Sequence, residues 1–124
     1  MMLDWNDYRR QLKTTMGEIA KLSPGTMDGY RTMATAYKES GHLDAKTREL
    51  MSIAVGVALR CDGCITVHTD AAIRHGATKD EIAEACNVAI AISAGAALVY
   101  SARALDAVAQ HPTTQAAAAA NKGE

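Results

Sequence analysis

Two cysteines and a histidine lie close together in the sequence, at Cys61, Cys64 and His68, and a glutamate, Glu49, lies twelve positions before the first cysteine. Oxidation of one thiolate to a sulfenic acid lets a second thiol condense with it to a disulfide, and two intervening residues permit this. Cys64 and His68 are four positions apart, so on a helix they share a face and can exchange a proton. The spacing therefore predicts a thiol redox site.

Both sulfurs are expected at the start of a helix. A helix N-terminus carries unpaired N–H groups and a partial positive charge, which favour a thiolate. Cys64 lies inside this helix beside His68, so we expect it to attack an oxidant and Cys61 to resolve the product. A lowered thiol pKa gains only about a few-fold in rate, because nucleophilicity falls with the pKa. We therefore expect His68 and Glu49 to move protons, a contribution typically worth about 10² to 10⁴.

The role of Glu49 depends on how the chain folds. Glu49 lies about 18 Å from Cys61 along a straight helix, so it reaches the thiols only if the chain turns back near Arg60. In the resulting antiparallel hairpin, a relay from Glu49 through His68 to a thiol is more natural than direct contact with both cysteines. The alternative, equally favoured by the spacing, is an exposed glutamate that stabilises the first turn of its helix.

Zinc binding is the main chemical alternative for a cysteine pair with nearby histidines. Cys61, Cys64, His68 and His75 fall on one helical face. His75, however, lies about 10.5 Å along the axis from His68, too far to share one tetrahedral ion. A three-ligand site on the other residues stays open. We expect His75 to interact with the last carbonyls of its helix, and Cys86 to behave as a small hydrophobic residue.

The elements that must position these residues all read as helices. Apolar residues recur at helical spacing throughout, and no segment has the pattern of a strand. We predict a first helix over 3–22 with Asp4 as its cap, a second from Ser23-Pro24 that closes at a left-handed Gly41, and a third capped by Asp44 and ending before Arg60. A fourth runs over 63–75 and ends at Gly76, and a fifth is opened by Thr78 and Glu81 at the spacing of a capping box. After a break or kink near Ser93-Ala94-Gly95, a sixth ends near 109. This pattern predicts one all-α domain of about six helices over residues 1–110, followed by a flexible, alanine-rich tail over 111–124.

Charge and composition restrict the partners. With 13 basic and 14 acidic residues and no basic run, the chain is not expected to bind nucleic acid or an anionic membrane. The N-terminus lacks the apolar stretch of a secretory signal, which predicts a cytoplasmic protein. The uncharged segment 85–102 is rich in Ala, Gly and Ser, so we interpret it as helices buried at an oligomer interface and not as a membrane span. Having one Trp, four Tyr and no Phe, the chain is expected to complete its core as a homo-oligomer.

The residues Glu49, Cys61, Cys64 and His68 form the pattern E-x11-C-x2-C-x3-H. With LDAKTRELMSIAV, RCDGCITVHTDAAIRHGATKDEI and ALVYSARALDA, the sequence resembles the alkyl hydroperoxidase D-like branch of the carboxymuconolactone decarboxylase family over roughly Leu43 to Ala107. The resemblance implies an all-helical fold, assembly as trimers or hexamers, and reduction of hydroperoxides without metal or bound cofactor. It also implies that Cys64 attacks the peroxide, that Cys61 resolves, and that Glu49 and His68 relay protons.

The sequence departs from that branch inside the cysteine pair, where Asp62-Gly63 replaces the histidine that many relatives carry. The added acid opposes thiolate formation. Our hypothesis is a thiol peroxidase that acts on a small hydroperoxide and is reduced by a dithiol or a protein. The alternatives are a general dithiol–disulfide oxidoreductase, a metal-binding or redox-sensing module, and a partner-binding protein that does not use its site. Decarboxylation of a lactone is the weaker enzymatic alternative, since that branch is not expected to carry a redox cysteine pair.

Overall fold

The computed structural model describes residues 2–123, and that part of the chain contains seven α-helices and no strand. The helices are α1 Trp5–Leu22, α2 Pro24–Thr35, α3 Tyr37–Ser40, α4 Ala45–Ala58, α5 Asp62–Arg74, α6 Lys79–Gln110 and α7 Pro112–Ala120. The predicted all-α fold class is confirmed.

Side-chain caps begin three of the helices where the sequence predicts them. The Asp4 carboxylate accepts a hydrogen bond from the Asp7 N–H at 2.9 Å, and the Asp44 carboxylate accepts one from the Thr47 N–H at 2.7 Å. The Thr47 hydrogen bond is the main reason that the pKa of Asp44 is lowered. Before α6, Thr78 and Glu81 exchange hydrogen bonds between side chain and backbone at 2.8 and 3.1 Å, which is the predicted capping box.

Two predicted boundaries are wrong. The second predicted helix is divided at Ala36 into α2 and the four-residue α3, although it ends as predicted at a left-handed Gly41, with φ 64°. The predicted break near Ser93-Ala94-Gly95 is absent, because α6 runs continuously through Gly95. One glycine costs a helix only about 1 kcal/mol, and the alanines around Gly95 have the highest helix propensity of any residue.

The residues form two compact units, Met1–Ala89 and Ile90–Glu124. In the first unit, α5 packs against both α4 and α1, and α1 also packs against α2. The buried apolar side chains of this unit are Met27, Ile53, Ala72 and Ala89. Thr66 is also buried, and its hydroxyl donates a hydrogen bond to the Trp5 carbonyl at 3.1 Å, which ties α5 to the start of α1.

The second unit consists of α6 from Ile90 onward and of α7. No residue of 90–123 is buried, and only Gly95 is half-buried. Helix α7 occupies most of the segment 111–124, which the sequence predicts as a flexible, alanine-rich tail. The predicted division between residues 110 and 111 and the flexibility of the tail stay predictions. Among residues 2–123, α6 is the one helix long and apolar enough to cross a membrane.

Candidate redox site

The turn between α4 and α5 places the cysteine pair. The Arg60 N–H donates to the Val57 carbonyl at 3.1 Å and the Cys61 N–H donates to the Gly56 carbonyl at 2.9 Å, a double closure that ends a helix with a left-handed residue. Arg60 is that residue, with φ 55°. The turn reverses the chain, so α5 packs back along α4, as predicted from the need to bring Glu49 to the thiols.

Cys61 is the N-cap of α5. Its sulfur accepts a hydrogen bond from the Cys64 N–H at 3.1 Å, a role that Ser, Thr, Asp or Asn usually fills. Cys61 and Cys64 are joined by a disulfide, with Cα atoms 5.2 Å apart. In the dithiol form, the same N–H and the helix dipole would stabilise a thiolate on Cys61. The predicted proximity of the two sulfurs is therefore observed, together with a capping contact that was not predicted.

Gly56 lets the two helices approach each other at the site. A Cβ atom built on Gly56 would lie 3.0 Å from the Cys64 Cβ and 3.7 Å from the Ile65 backbone nitrogen. Any larger residue would push Cys64 away from α4 or force one helix to shift. This role of Gly56 was not predicted, although a glycine on the apolar face of a helix next to a cysteine motif is a usable signal for close packing.

Glu49 and His68 join the two helices beside the cysteine pair. The Glu49 Oε2 lies 2.7 Å from the His68 Nδ1, and the side chains are 14% and 34% exposed. The alternative of an isolated, exposed Glu49 is therefore wrong. When Nδ1–H donates to the carboxylate, Nε2 of the neutral imidazole becomes the proton-accepting nitrogen. The carboxylate thus fixes the ring orientation and the tautomer that a proton relay requires.

A known protein family matches more than half of the chain. The model of the family described as "Carboxymuconolactone decarboxylase family" matches residues 24–107. The chain belongs to this family. The match begins earlier than the similarity identified from the motifs, near Leu43, so it also includes α2 and α3.

The chain is similar to proteins of known sequence and of known structure. An uncharacterised Haemophilus influenzae protein is 43% identical over 107 residues, which cover 86% of this chain and 95% of that protein. An apo crystal structure of a carboxymuconolactone decarboxylase family protein from Legionella pneumophila has a TM-score of 0.67 and 33% identity, covering 83% of this chain and 92% of that one. A Methanobacterium thermoautotrophicum protein gives a TM-score of 0.63 at 33% identity, over 69% and 95% of the two chains.

His75 and Cys86 lie outside the site formed by Glu49, Cys61, Cys64 and His68. His75 is the C-cap of α5, where its backbone N–H approaches the last carbonyls of the helix. Cys86 is half-buried in α6 and is not part of the disulfide. Within residues 2–123, with Cys61 and Cys64 joined as a disulfide, no three His, Cys, Asp or Glu side chains form a group suited to hold a metal ion.

Proposed function

We propose that this family member is a thiol-dependent peroxidase that reduces hydrogen peroxide or organic hydroperoxides. The observation that carries the proposal is a cysteine pair in disulfide contact next to a histidine that a half-buried carboxylate orients at 2.7 Å. A redox pair and a positioned proton carrier are the two components that thiol peroxidase chemistry requires. No bound cofactor takes part in the proposed cycle.

The proposed cycle balances with these four residues and a hydroperoxide, ROOH. His68 Nε2 takes the Cys64 thiol proton, and the thiolate attacks the terminal peroxide oxygen, so that an S–O bond forms and the O–O bond breaks. The leaving alkoxide takes the proton from His68 and departs as ROH, with Cys64 left as a sulfenic acid. The Cys61 thiol then displaces water from that sulfur and forms the disulfide. Glu49 holds the ring throughout.

An external dithiol, free or carried by a protein, completes the cycle. Its thiolate attacks the Cys64 sulfur, and Cys61 leaves as a thiolate that accepts the hydrogen bond from the Cys64 N–H. The second external thiol then attacks the mixed disulfide, which returns Cys64 to its thiol and oxidises the dithiol. Two electrons pass from the dithiol to the peroxide in each turnover.

A general dithiol–disulfide oxidoreductase is the second candidate. It is favoured by the capping contact on Cys61, because a sulfur that accepts a backbone N–H at a helix start resembles the environment that lowers a thiol pKa for disulfide exchange. In that case Cys61 and not Cys64 is the attacking residue, and the partner is a protein disulfide in place of a peroxide.

Single-turnover reactions of the pre-reduced protein separate the candidates. We expect hydrogen peroxide or cumene hydroperoxide to be consumed with loss of two thiols per chain, and Cys64→Ser to abolish this. Cys61→Ser should instead stop at a sulfenic acid on Cys64, detectable with a dimedone probe, whereas Cys86→Ser should behave as wild type. Reduction of a model protein disulfide without consumption of any hydroperoxide would overturn the peroxidase proposal in favour of the second candidate.

We also propose that the protein is a homo-oligomer in which a second copy covers the apolar side chains of α6. Seven large apolar side chains between residues 90 and 108 are more than half exposed: Ile90, Ile92, Leu98, Val99, Tyr100, Leu105 and Val108. This segment approaches the roughly 20–30 residues that one side of a stable interface contains. Ala91, Gly95 and Ala96 leave a shallow groove between Ile92, Val99 and Tyr100, of a shape that receives another helix.

The oligomer proposal is tested by mass in solution. Light scattering should give a multiple of 13.1 kDa, and Val99→Glu should lower it, whereas Thr32→Glu on α2 should not. A monomeric wild type, or wild-type protein that co-floats with lipid vesicles while Val99→Glu does not, would overturn the proposal in favour of a lone chain or a membrane. The resemblance implies the mass of a trimer or of a hexamer. The cytoplasmic location of the protein stays a prediction.

A further inference from the structure

A groove of about 370 Å³ lies along α4. The face of α4 that lines it is adjacent to the face that carries Glu49. The groove is lined by Tyr37, Leu43, Arg48, Met51, Ser52 and Val55. Its volume falls in the range of about 300–1,000 Å³ that small-molecule sites occupy. Its walls are largely apolar, because Leu43, Met51 and Val55 line it. Each of these three side chains is about half exposed. The redox chemistry proposed above does not use any of these residues.

The groove flanks the redox site through Ser52. On α4, Ser52 lies one turn after Glu49 and one turn before Gly56, the residue against which Cys64 packs. Ser52 lines the groove and lies on the same helix row as Glu49 and Gly56, which both contact α5, and its own hydroxyl donates to the Arg48 carbonyl at 2.9 Å. A molecule lying in the groove would therefore have one end within about one helical turn of the Glu49–His68 pair.

Arg48 provides a fixed positive charge in this apolar surface. Its guanidinium lies 4.7 Å from the centre of the Tyr37 ring and donates a hydrogen bond to the Leu43 carbonyl. Arg48 is half-buried, and among residues 2–123 no carboxylate lies within 4.0 Å of it. Asp44, whose charge interacts with Arg48 at longer range, is already engaged by the Thr47 N–H.

An orientated guanidinium with unused donors is suited to a carboxylate. A guanidinium has five N–H donors in a planar fork, and the contacts of Arg48 with Tyr37 and with the Leu43 carbonyl leave other donors for a carboxylate. A small inorganic anion would satisfy this charge but would leave the apolar walls in contact with water. A molecule with both a carboxylate and a hydrocarbon chain matches the whole groove.

We propose that this groove binds the carboxylate and hydrocarbon chain of a fatty-acid-type molecule, and that hydroperoxides of such acids are the preferred substrates of the redox site. The carboxylate lies on Arg48, and the chain lies along Leu43, Met51 and Val55. The substrate part of this inference rests on the proposed peroxidase activity, whereas the binding part does not.

The binding part is tested on the oxidised, disulfide form with unreactive probes. Decanoate should shift the NMR signals of Met51 and Val55. In a series of shorter n-alkanoates, affinity should rise with chain length by up to about fourfold per methylene until the groove is filled. Arg48→Gln should weaken decanoate binding at least tenfold but leave decanol binding unchanged, and Arg48→Lys should have an intermediate effect. Arg31→Gln, which removes an exposed arginine on α2, is the matched control.

Three results would overturn the binding part: no decanoate binding to wild type, equal binding to Arg48→Gln, or binding of decanol as tight as that of decanoate. The binding part would also be overturned if the Met51 and Val55 signals changed with protein concentration alone, because a second copy of the chain would then occupy the groove. The comparison of decanoate with decanol on the wild-type protein decides the question even if the arginine variant unfolds.

The substrate part is tested by steady-state kinetics. Arg48→Gln should raise the KM for linoleic acid hydroperoxide about tenfold with little change in kcat, and should leave turnover of cumene hydroperoxide and hydrogen peroxide unchanged. An equal effect on all three substrates would overturn the substrate assignment. If decanoate binds as expected but no hydroperoxide is consumed, the groove assignment stands and the proposed peroxidase function fails.

Discussion

The carboxylate of Glu49 contacts the imidazole of His68 at 2.7 Å across the packed faces of α4 and α5, although the two residues are 19 positions apart in the sequence. This contact depends on the reversal at Arg60 and on the close packing that Gly56 allows against Cys64. The positions of the proton-handling groups therefore depend on the same turn that begins α5 at Cys61. A change in that turn would affect both halves of the proposed chemistry.

Glu49→Gln is expected to slow peroxide reduction by roughly 10- to 100-fold, part of the effect typical of a positioned acid–base group. The amide can still contact the ring, but it no longer stabilises the imidazolium that forms when His68 takes the thiol proton. The measurement is the single-turnover rate of disulfide formation after mixing with cumene hydroperoxide. Glu39→Gln on α3 removes an exposed carboxylate outside the site and should leave the rate unchanged. Equal rates for wild type and Glu49→Gln would remove Glu49 from the relay.

Cys61→Ala is expected to destabilise the dithiol form by about 1 kcal/mol, whereas Cys61→Ser should cost much less. The Cys61 sulfur caps α5 by accepting the Cys64 N–H, and serine can replace that acceptor while alanine cannot. Urea unfolding in excess reductant measures the difference without any contribution from the disulfide. If the two variants unfold at the same urea concentration, the sulfur does not act as a cap in the reduced protein.

Arg60→Gly is expected to stabilise the protein by about 1 kcal/mol. Arg60 has φ 55°, a left-handed conformation that costs a residue with a Cβ roughly 1–2 kcal/mol and glycine almost nothing. The end of α5 is an internal reference, because Gly76 has φ 85° there and makes the same type of closure with Ile73. Gly76→Ala should therefore destabilise the protein by a similar amount. Thermal unfolding of the two variants checks both signs, and destabilisation by Arg60→Gly would show that the arginine side chain stabilises the turn.

The sequence predicted the parts of the fold that follow from short-range rules. The caps at Asp4 and Asp44 and the left-handed Gly41 and Gly76 each depend on residues within one helical turn, so local patterns identify them. The contact between Glu49 and His68 required a tertiary assumption, a turn near Arg60, and spacing alone left its two interpretations equal.

What the sequence did not predict depends on tertiary packing or on a residue used in place of a more common one. The role of Gly56 requires the neighbouring helix to be present, because nothing in α4 itself needs a glycine there. Cys61 as a cap and Arg60 as a left-handed helix end replace the usual Ser or Asp and Gly, so propensity rules do not identify them. The break predicted near Gly95 does not occur, because the cost of one glycine in a helix is small against the high helix propensity of the alanines that flank it.

The ion pair between Lys46 and Glu81 gives a prediction for stability against pH. Lys46 Nζ lies 2.7 Å from Glu81 Oε1, and the contact joins the first turns of α4 and α6. The side-chain hydrogen bond between them is the main reason that the pKa of Glu81 is lowered below 4.5 and that of Lys46 is raised above 10.5. Both pKa shifts mean that the folded state favours the charged forms.

Lys46→Met should therefore reduce stability only in a defined pH window. The contribution of Glu81 is fully present above its unfolded pKa of 4.5 and is lost as the pH falls through its lower folded pKa. That of Lys46 is fully present below 10.5 and is lost as the pH rises through its higher folded pKa. Wild type should thus be more stable than Lys46→Met at neutral pH, and the difference should shrink at acidic and alkaline extremes and in 1 M NaCl, where the Debye length is only about 3 Å. Urea unfolding across pH measures it, with Lys38→Met as the control, and a pH-independent difference would mean that Lys46 stabilises the protein through its hydrocarbon stem and not through its charge.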